Sequence, residues 1–577
     1  MSLFGSLQTA SNTLRAVQIG LQVVNNNIAN AGTEGYIREQ ANFAPTPVQK
    51  LGSLQIGTGV KVDSITQKVD EFLGTQLRDA AADRVSADLQ NQAYKDLEEL
   101  LGELTGGDLS TSLTGFFGSI EDTLNAVGGD AASIRNLAVL EGRRLSQEIQ
   151  RVEDAAQDLR DGYDQQIAQA ADQVNALTEQ IRRLNIQISQ TEGGGAGKSD
   201  AGALRATRNQ AINELTELVS ATVREQPSGG VSISVNGEFL VFEGQRRLVA
   251  VVQTEDQSEP SSSLRFTDTG KALKPTAGRV HGLTAARDQI VDGFRDSLND
   301  FAATLIYEFN RVHSQGQGIE GFGSLTSQDA VDDPAAALDA AGLAFAPENG
   351  SFRVSLLDEA SGDFKTAVID VRLQDDAAGE KSSLQSVADQ IDAVAGLTAT
   401  VTSTGRLAIA TESPNAVFTF SNDTSGLLAS LGLNTFFVGS NADNIGTNPE
   451  LDGVKNAGKL ALRRAPDGER PGPGGTTENA VLLAGLIDAP LGSLDGASIS
   501  ESYDQVVNEL AQNSTVAGSV AEGLGVFEAT LANEWQAISG VNIDEEAIDL
   551  ISLQRIFQAT GRVIQTIQSM LETLVNL

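Results

Sequence analysis

Apolar residues at the start of the chain recur at alternating spacings of four and three: Leu3, Leu7, Ala10, Leu14, Val17, Leu21, Val24 and Ile28. That spacing predicts a helix carrying one narrow heptad seam. The positions between are mostly Ser, Thr, Gln and Asn. The other end mirrors the first. Leu550, Phe557, Ile564 and Leu571 recur every seven residues, and Leu553, Ile567 and Leu574 fill the second seam position, with Thr560 as the exception. Ile556, Val563, Met570 and Leu577 widen the stripe. Asn542 is placed to cap this helix, with Asp544, Glu545 and Glu546 in its first turn, where the helix dipole favours acids. A face this broad needs a partner, and chain ends fray unless something holds them. The simplest partner for each stripe is the other, with further copies beside the pair.

Between the ends, Ile149, Val152, Ala156, Leu159, Tyr163, Ile167, Ala170, Val174, Leu177, Ile181, Leu184 and Ile188 predict a long helix over 145–190, packed in a bundle or hairpin. The Gly-rich stretch 191–202 breaks it, and a second helix over 203–220 follows. Val231, Ile233 and Val235 alternate with serines. Asn236-Gly237 then turns the chain into Phe239-Leu240-Val241, a hairpin signal. Helix returns over 282–313, with Ile290, Phe294, Leu298, Phe301 and Leu305 on one face. From about 320 to 427 alternating stretches such as Phe352–Leu356 and Ala416–Phe420 predict a mainly β insertion, with a helix near 383–395. A loop over 464–476 and a helix over 498–538 complete the chain. The fold class expected is α+β multidomain: residues 1–35 with 545–577 as a coiled-coil pair, 36–320 with 428–544 as a mostly helical core with a small hairpin region near 223–250, and 321–427 as an inserted mainly β outer domain.

Composition narrows the function. The 577 residues suffice for several domains, and aromatics are 5%, so the cores rest on Leu, Ile, Val and Ala. A formal net charge of −37 repels nucleic acid and anionic membrane alike. Residues 1–40 stand apart, with two Arg (Arg15, Arg38) against two Glu (Glu34, Glu39). Copies can therefore meet there without like-charge repulsion. There is no cysteine, which excludes disulfide, zinc-thiolate and Cys-nucleophile chemistry. The first residues lack a basic segment followed by an apolar run, so no cleaved secretory signal is expected. No stretch approaches the ~18 apolar residues of a membrane helix, so no membrane insertion is expected.

The first helix runs into Asn26-Asn27-Ile28-Ala29-Asn30, then Thr33, Gly35, Tyr36 and Arg38. As physics this is a helix stop, with Gly32 and Gly35 free to take backbone angles closed to other residues. As a pattern it resembles the flagellar rod, hook and hook-associated axial proteins. Within that family, Tyr36-Ile37-Arg38 and Ser539–Asn542 with Asp544-Glu545-Glu546 resemble the branch at the first junction of hook and filament. Phe309-Asn310-Arg311-Val312-His313 with Gly316, and Leu431–Phe437, agree. The resemblance covers about 1–60, 130–320 and 428–577. Gly32 stands where the family usually has Asn, Glu34 where Pro is common, and Leu553 in place of a frequent Tyr.

The resemblance implies a non-enzymatic structural subunit of the extracellular flagellum, exported uncleaved through the flagellar type III apparatus. It implies self-assembly into a ring or helical array beside the hook protein and a second junction protein, and an export chaperone on the C-terminal helix. Another axial protein (hook or rod) is the alternative, followed by a secreted coiled-coil surface protein.

No catalytic, metal or cofactor site is expected. GGGAGKS at 193–199 lacks the first glycine of a phosphate loop, Glu192 standing there, and follows a helix rather than a strand. His281 and His313 lie far apart on or near the helix over 282–313, whereas a metal site normally needs three or four converging ligands; His313 is expected to cap a helix end. Asp332-Asp333, Asp375-Asp376 and Glu545-Glu546 are expected as solvated surface. Trp535 is expected to anchor packing.

Overall fold

The structure, a computed structural model, describes residues 3–33, 35–51, 54–102, 108–125, 131–193, 201–254, 261–319, 321–373, 381–454, 456–464 and 476–576. The chain opens with α1 (Leu3–Ala29), β1 (Glu39–Pro45), β2 (Gln49–Leu51), β3 (Leu54–Ile56), β4 (Val60–Gln67), α2 (Glu71–Leu101) and α3 (Leu109–Asp122). The long α4 (Ala131–Glu192) and α5 (Gly202–Val219) lead to β5 (Thr222–Glu225), β6 (Val231–Val235), β7 (Glu238–Phe242), β8 (Gln245–Arg246), β9 (Val249–Thr254) and β10 (Ser261–Phe266). Next come α6 (Gly278–Ala285), a π-helical segment (Ala286–Val291) and α7 (Asp292–His313). β11 (Ser324–Thr326), β12 (Gly350–Asp358), β13 (Phe364–Val371), α8 (Leu384–Asp392), β14 (Leu397–Val401), β15 (Leu407–Thr411) and β16 (Ala416–Ser421) follow. After α9 (Leu427–Ser430), β17 (Phe437–Val438), β18 (Gly446–Thr447) and α10 (Glu478–Gly485), the chain ends in α11 (Ile499–Ser539) and α12 (Ile543–Val575).

Two compact units result. The first takes Met1–Ala93, Asp161–Ile290 and Ser514–Leu577; the second takes Tyr94–Arg160 and Val291–Asn513. In the first unit, β1 and β4 form a hairpin with a bulge at Asn42/Phe43. The expected turn at Asn236-Gly237 has φ of 48° and 81°, which joins β6 to β7 with both residues left-handed. The sheet around it is larger than the sequence indicated: β5-β6-β7-β8 make four antiparallel strands, and β9 pairs with β10. Asn185, buried on α4, ties this sheet down. Its Nδ2 donates to the carbonyls of Val231 (2.9 Å) and Glu243 (2.8 Å), and its Oδ1 accepts from the Val231 N–H at 3.0 Å. Trp535 on α11 packs with Leu531 and Ile538 against Leu73, Leu77 and Ala80 of α2, as an anchor.

The second unit is centred on Phe116, Phe117, Phe309, Phe436 and Phe437, whose ring centroids lie 4.8–6.0 Å apart. A further apolar cluster in this unit runs from Val331 to Leu433. Phe352, Val354, Ile369, Phe418 and Phe420, from the sheet ordered β13-β12-β16, pack with Leu384, Val387 and Ile391 of α8. The alternation read from the sequence holds there, since Phe352, Val354 and Leu356 all point inward.

Candidate functional site at the paired chain ends

α1 and α12 pack along one another in the first unit. Ala10, Val17 and Val24 of the predicted α1 seam are buried, and Leu3, Leu7, Leu14, Leu21 and Ile28 are half-buried. On α12, Ile567 and Thr560 are buried, and Leu550, Leu553, Phe557, Ile564 and Leu571 half-buried. Thr560 is tolerated in the seam because its hydroxyl donates to the Ile556 carbonyl at 2.8 Å. Leu574, expected in the seam, is instead 64% exposed; Leu577 lies outside the described residues.

Gly20 lies where α1 meets α12 and β1. A Cβ there would stand 3.1 Å from Phe43 Cζ and 3.2 Å from Leu553 Cδ1, so glycine lets the helices approach. The pair covers part of each stripe. Ile556, Val563 and Met570, the widening row, remain 42, 49 and 52% exposed, and Phe4 is 72% exposed.

A polar clasp closes one end of the pair. Hydrogen bonds from Asn30 N to Asn26 O (3.0 Å), Thr33 N to Asn30 O (2.9 Å) and Tyr36 N to Thr33 O (3.2 Å) wind down α1, and Gly35 takes φ 74°. Asn30 Nδ2 adds a bond to Asn26 O at 2.9 Å, and Ala29 is exposed. This turn brings Tyr36 and Arg38 back against Asn27, which is 1% exposed. Asn27 Oδ1 accepts from the Tyr36 hydroxyl and the Glu39 N–H, both at 3.0 Å. Its Nδ2 donates to Glu39 O at 2.8 Å and to Glu546 Oε2 at 3.0 Å. Arg38 donates to the other Glu546 oxygen at 2.6 Å and to Glu545 at 2.7 Å, and Asp549 lies 3.6 Å away. The Arg38 N–H donates to the Ser539 carbonyl at 3.0 Å, and Asn542 caps α12 by accepting from Asp544 N. Burial, with the negative charges of Glu39 and Glu546, pushes the Tyr36 hydroxyl up to about 12.

Glu546 corrects the expectation of a solvated acidic pair. Glu545 is 57% exposed, but Glu546 is 1% exposed and bonded on both oxygens. A signal was available, because Glu546, Leu550, Leu553 and Phe557 continue the four-three-four spacing inward.

The two internal stretches of the family pattern also meet, in the second unit. Asn310 Oδ1 accepts from the N–H groups of Phe436 (3.0 Å) and Phe437 (2.9 Å), and its Nδ2 donates to Phe437 O at 2.9 Å. The His313 ring does not cap its helix. Its Nδ1 bonds to the Asn434 carbonyl at 2.8 Å while Nε2 accepts from the Ala461 N–H at 3.1 Å. Complete burial pushes this imidazole down to about 4, so it is a neutral structural residue. His281 bonds to Ser86 at 2.9 Å. Asp332 and Asp333 are exposed. Residues 194–200 of the Gly-rich stretch, Asp375 and Asp376, and 465–475 of the loop lie outside the described residues. Among the described residues, no three His, Asp or Glu converge as metal ligands, and no helix is long and apolar enough to cross a membrane.

Comparison with known proteins points one way. Residues 94–326 match the model of the flagellar hook-associated protein FlgK helical domain, and 535–577 match that of the flagellar basal body rod FlgEFG protein C-terminal. The chain is 25% identical to flagellar hook-associated protein 1 of Escherichia coli K12, over 99% of both chains. It is 25% identical to that of Bacillus subtilis, over 55% of this chain and 68% of the relative. Among solved structures, the flagellar hook junction protein FlgK from Burkholderia pseudomallei shares the fold, with a TM-score of 0.53 at 15% identity, covering 81% of this chain and all of the other.

Proposed function

We propose that this chain, a member of the flagellar hook-associated protein 1 family, is a non-enzymatic subunit that joins hook to filament and polymerises through its terminal helices. The observation that supports this most is the incomplete burial of the α1–α12 pair. Phe4, Ile19, Ile548, Ile551, Ile556, Val563, Met570, Leu574 and Val575 all stay at least 39% exposed. Covering such half-exposed side chains is worth on the order of 1 kcal/mol each. Together that is on the order of 10 kcal/mol, comparable with the roughly 4–15 kcal/mol cost of association. A single pairwise contact would therefore be marginal, whereas an array in which each copy meets several neighbours is stable. Monomers stay apart, and the ends finish ordering where copies already stand together.

In this reading the seam residues Leu3, Leu7, Leu14, Val17, Leu21, Val24, Ile28, Leu550, Leu553, Phe557, Ile564, Ile567, Leu571 and Leu574 form the assembly interface. The motif residues Asn26, Asn27, Ala29, Asn30, Thr33, Gly35, Tyr36 and Arg38 shape the turn that sets it. The partners are further copies, the hook protein, the second junction protein and, before export, a chaperone on α12. The insertion at 321–427 is an outer domain. The Leu14→Asp, Leu21→Asp double variant is expected to fold in its second unit yet fail to enter flagella, as is a chain lacking 545–577. Normal incorporation of either one would contradict the reading.

A further inference from the structure

Asparagine followed by glycine occurs twice in the chain, at Asn236-Gly237 and Asn349-Gly350. The pair has a chemistry of its own. Glycine has no side chain to shield its main-chain nitrogen. The asparagine amide carbon lies within reach of that nitrogen through a five-membered ring. The fold treats the two pairs differently.

Asn236 and Gly237 are the turn residues between β6 and β7, with φ of 48° and 81° and Val235 paired with Glu238 across them. Both are exposed. A Cβ built at Gly237 would meet nothing within 4 Å, so no described part of the chain covers the tip. A left-handed angle costs a residue other than glycine free energy, and opening the turn for attack relieves that angle at Asn236. Asn349 is exposed too, but its amide is held. Its Oδ1 accepts from the Leu373 N–H at 2.7 Å. Gly350 opens β12 in register with Val371, and a Cβ on it would lie 2.6 Å from Thr424 Oγ1. The main chain is packed there, and swinging the Asn349 amide onto the Gly350 nitrogen would break the bond to Leu373.

We propose that Asn236 is a self-modification site, converted to aspartate and isoaspartate through attack by the Gly237 nitrogen, while Asn349 is spared. The Gly237 N–H gives its proton to solvent base as the nitrogen attacks Asn236 Cγ. The new N–Cγ bond closes a succinimide ring, the Cγ–Nδ2 bond breaks, and Nδ2 leaves as ammonia with a proton from solvent. Water then opens the ring. Addition at Cγ gives aspartate; addition at the main-chain carbonyl gives isoaspartate, with the chain rerouted through Cγ. The sum is amide plus water to carboxylic acid plus ammonia, with no oxidation or reduction. Either product adds a negative charge at the turn. Isoaspartate also lengthens the main chain by one atom, which a two-residue hairpin turn does not accommodate. The tip loosens, while Ile233, Leu240 and Val241, all fully buried, hold the strands together. The converted fraction grows with the age of the chain, and the chemistry is independent of the assembly reading.

The test holds the full chain in warm, mildly alkaline buffer and follows peptides spanning both pairs by mass spectrometry, with enzymatic methylation of isoaspartate as a second readout. Conversion at 236 is expected, with the methyl label on the same peptide. Conversion at 349 is expected to be slower by roughly fivefold or more, the factor that one hydrogen bond sets. In the chain unfolded by urea the two pairs are expected to convert at like rates. Asn236→Gln, whose longer side chain needs a six-membered ring, is expected to lose the label at that position. An unconverted Asn236 in the native chain, or a native rate at 349 equal to or above that at 236, overturns the proposal. So does a difference between the pairs that survives in urea, or methylation of the 236 peptide in the Asn236→Gln variant.

Discussion

Glu546→Ala removes the acceptor shared by Asn27 Nδ2 (3.0 Å) and Arg38 Nε (2.6 Å) in a site that is 1% exposed. Truncating one partner of an isolated buried ion pair costs roughly 3–5 kcal/mol. The cost here is lower, because neither partner is stranded. Asn27 Nδ2 keeps the Glu39 carbonyl at 2.8 Å, and Arg38 keeps Glu545 at 2.7 Å in partly exposed surroundings. One charge-assisted hydrogen bond of about 1.5–3 kcal/mol is the better measure, so the expected loss is about 2 kcal/mol. Asn27→Ala costs a similar amount, since it also strips the bonds to Tyr36 and to the Glu39 N–H. Because the two residues share a bond, the double variant should lose less than the sum, by about 1 kcal/mol. Glu545→Ala, on the 57% exposed partner, should cost under about 0.5 kcal/mol. Global melting of a chain with two units does not isolate this region. The assay is native-state hydrogen exchange of the α12 amides, which reads local opening. Additivity of the two substitutions within about 0.3 kcal/mol, or equal costs for Glu545→Ala and Glu546→Ala, would refute the clasp.

Three further outcomes follow from the geometry. His313 is held down to about 4, so its neutral form stabilises the fold above the ordinary value of 6.5; that contribution should drain away as pH falls from 6.5 through 4. The thermal midpoint of the second unit should fall over that window in the native chain and less steeply in His313→Gln. Tyr36, raised from 10.0 to about 12, contributes fully below pH 10 and loses its contribution as pH climbs through 12. Tyr36→Phe should flatten the alkaline rise in α12 exchange, and an unchanged profile would count against the hydroxyl. Gly142→Ala would push a Cβ to 2.5 Å from the Phe436 ring and 3.0 Å from Phe116, an overpacking cost of about 1–3 kcal/mol. Calorimetry should show it in the second unit, and a neutral result would mean that the aromatic core gives way easily.

The elements most legible in the sequence had large apolar residues at regular spacing. α1, α4, α12, the Asn236-Gly237 hairpin and the alternating strands of the insertion are of this kind. α2 went unread because its inward row is largely alanine (Ala80, Ala87, Ala93), which packs and favours helix without standing out as apolar. The β1–β4 hairpin was hidden as well, since its strands are half-buried and its register breaks at a bulge. At the candidate site the seam was visible and the clasp was not. An acid beside two others on a charged chain looks solvated until its partner is known, and Asn27 lies 519 positions away. The outward row of α12 shows the reverse limit: periodicity marks apolar positions but does not say which of them one copy leaves open.

Deletion of the gene for this chain, followed by electron microscopy of the cells and assay of filament protein in the medium, tests whether the chain joins hook to filament. The expected result is hooks that lack filaments, filament protein lost to the medium, and rescue by the full chain but not by one lacking 545–577. Filaments of normal length attached to hooks in the deletion strain would contradict it.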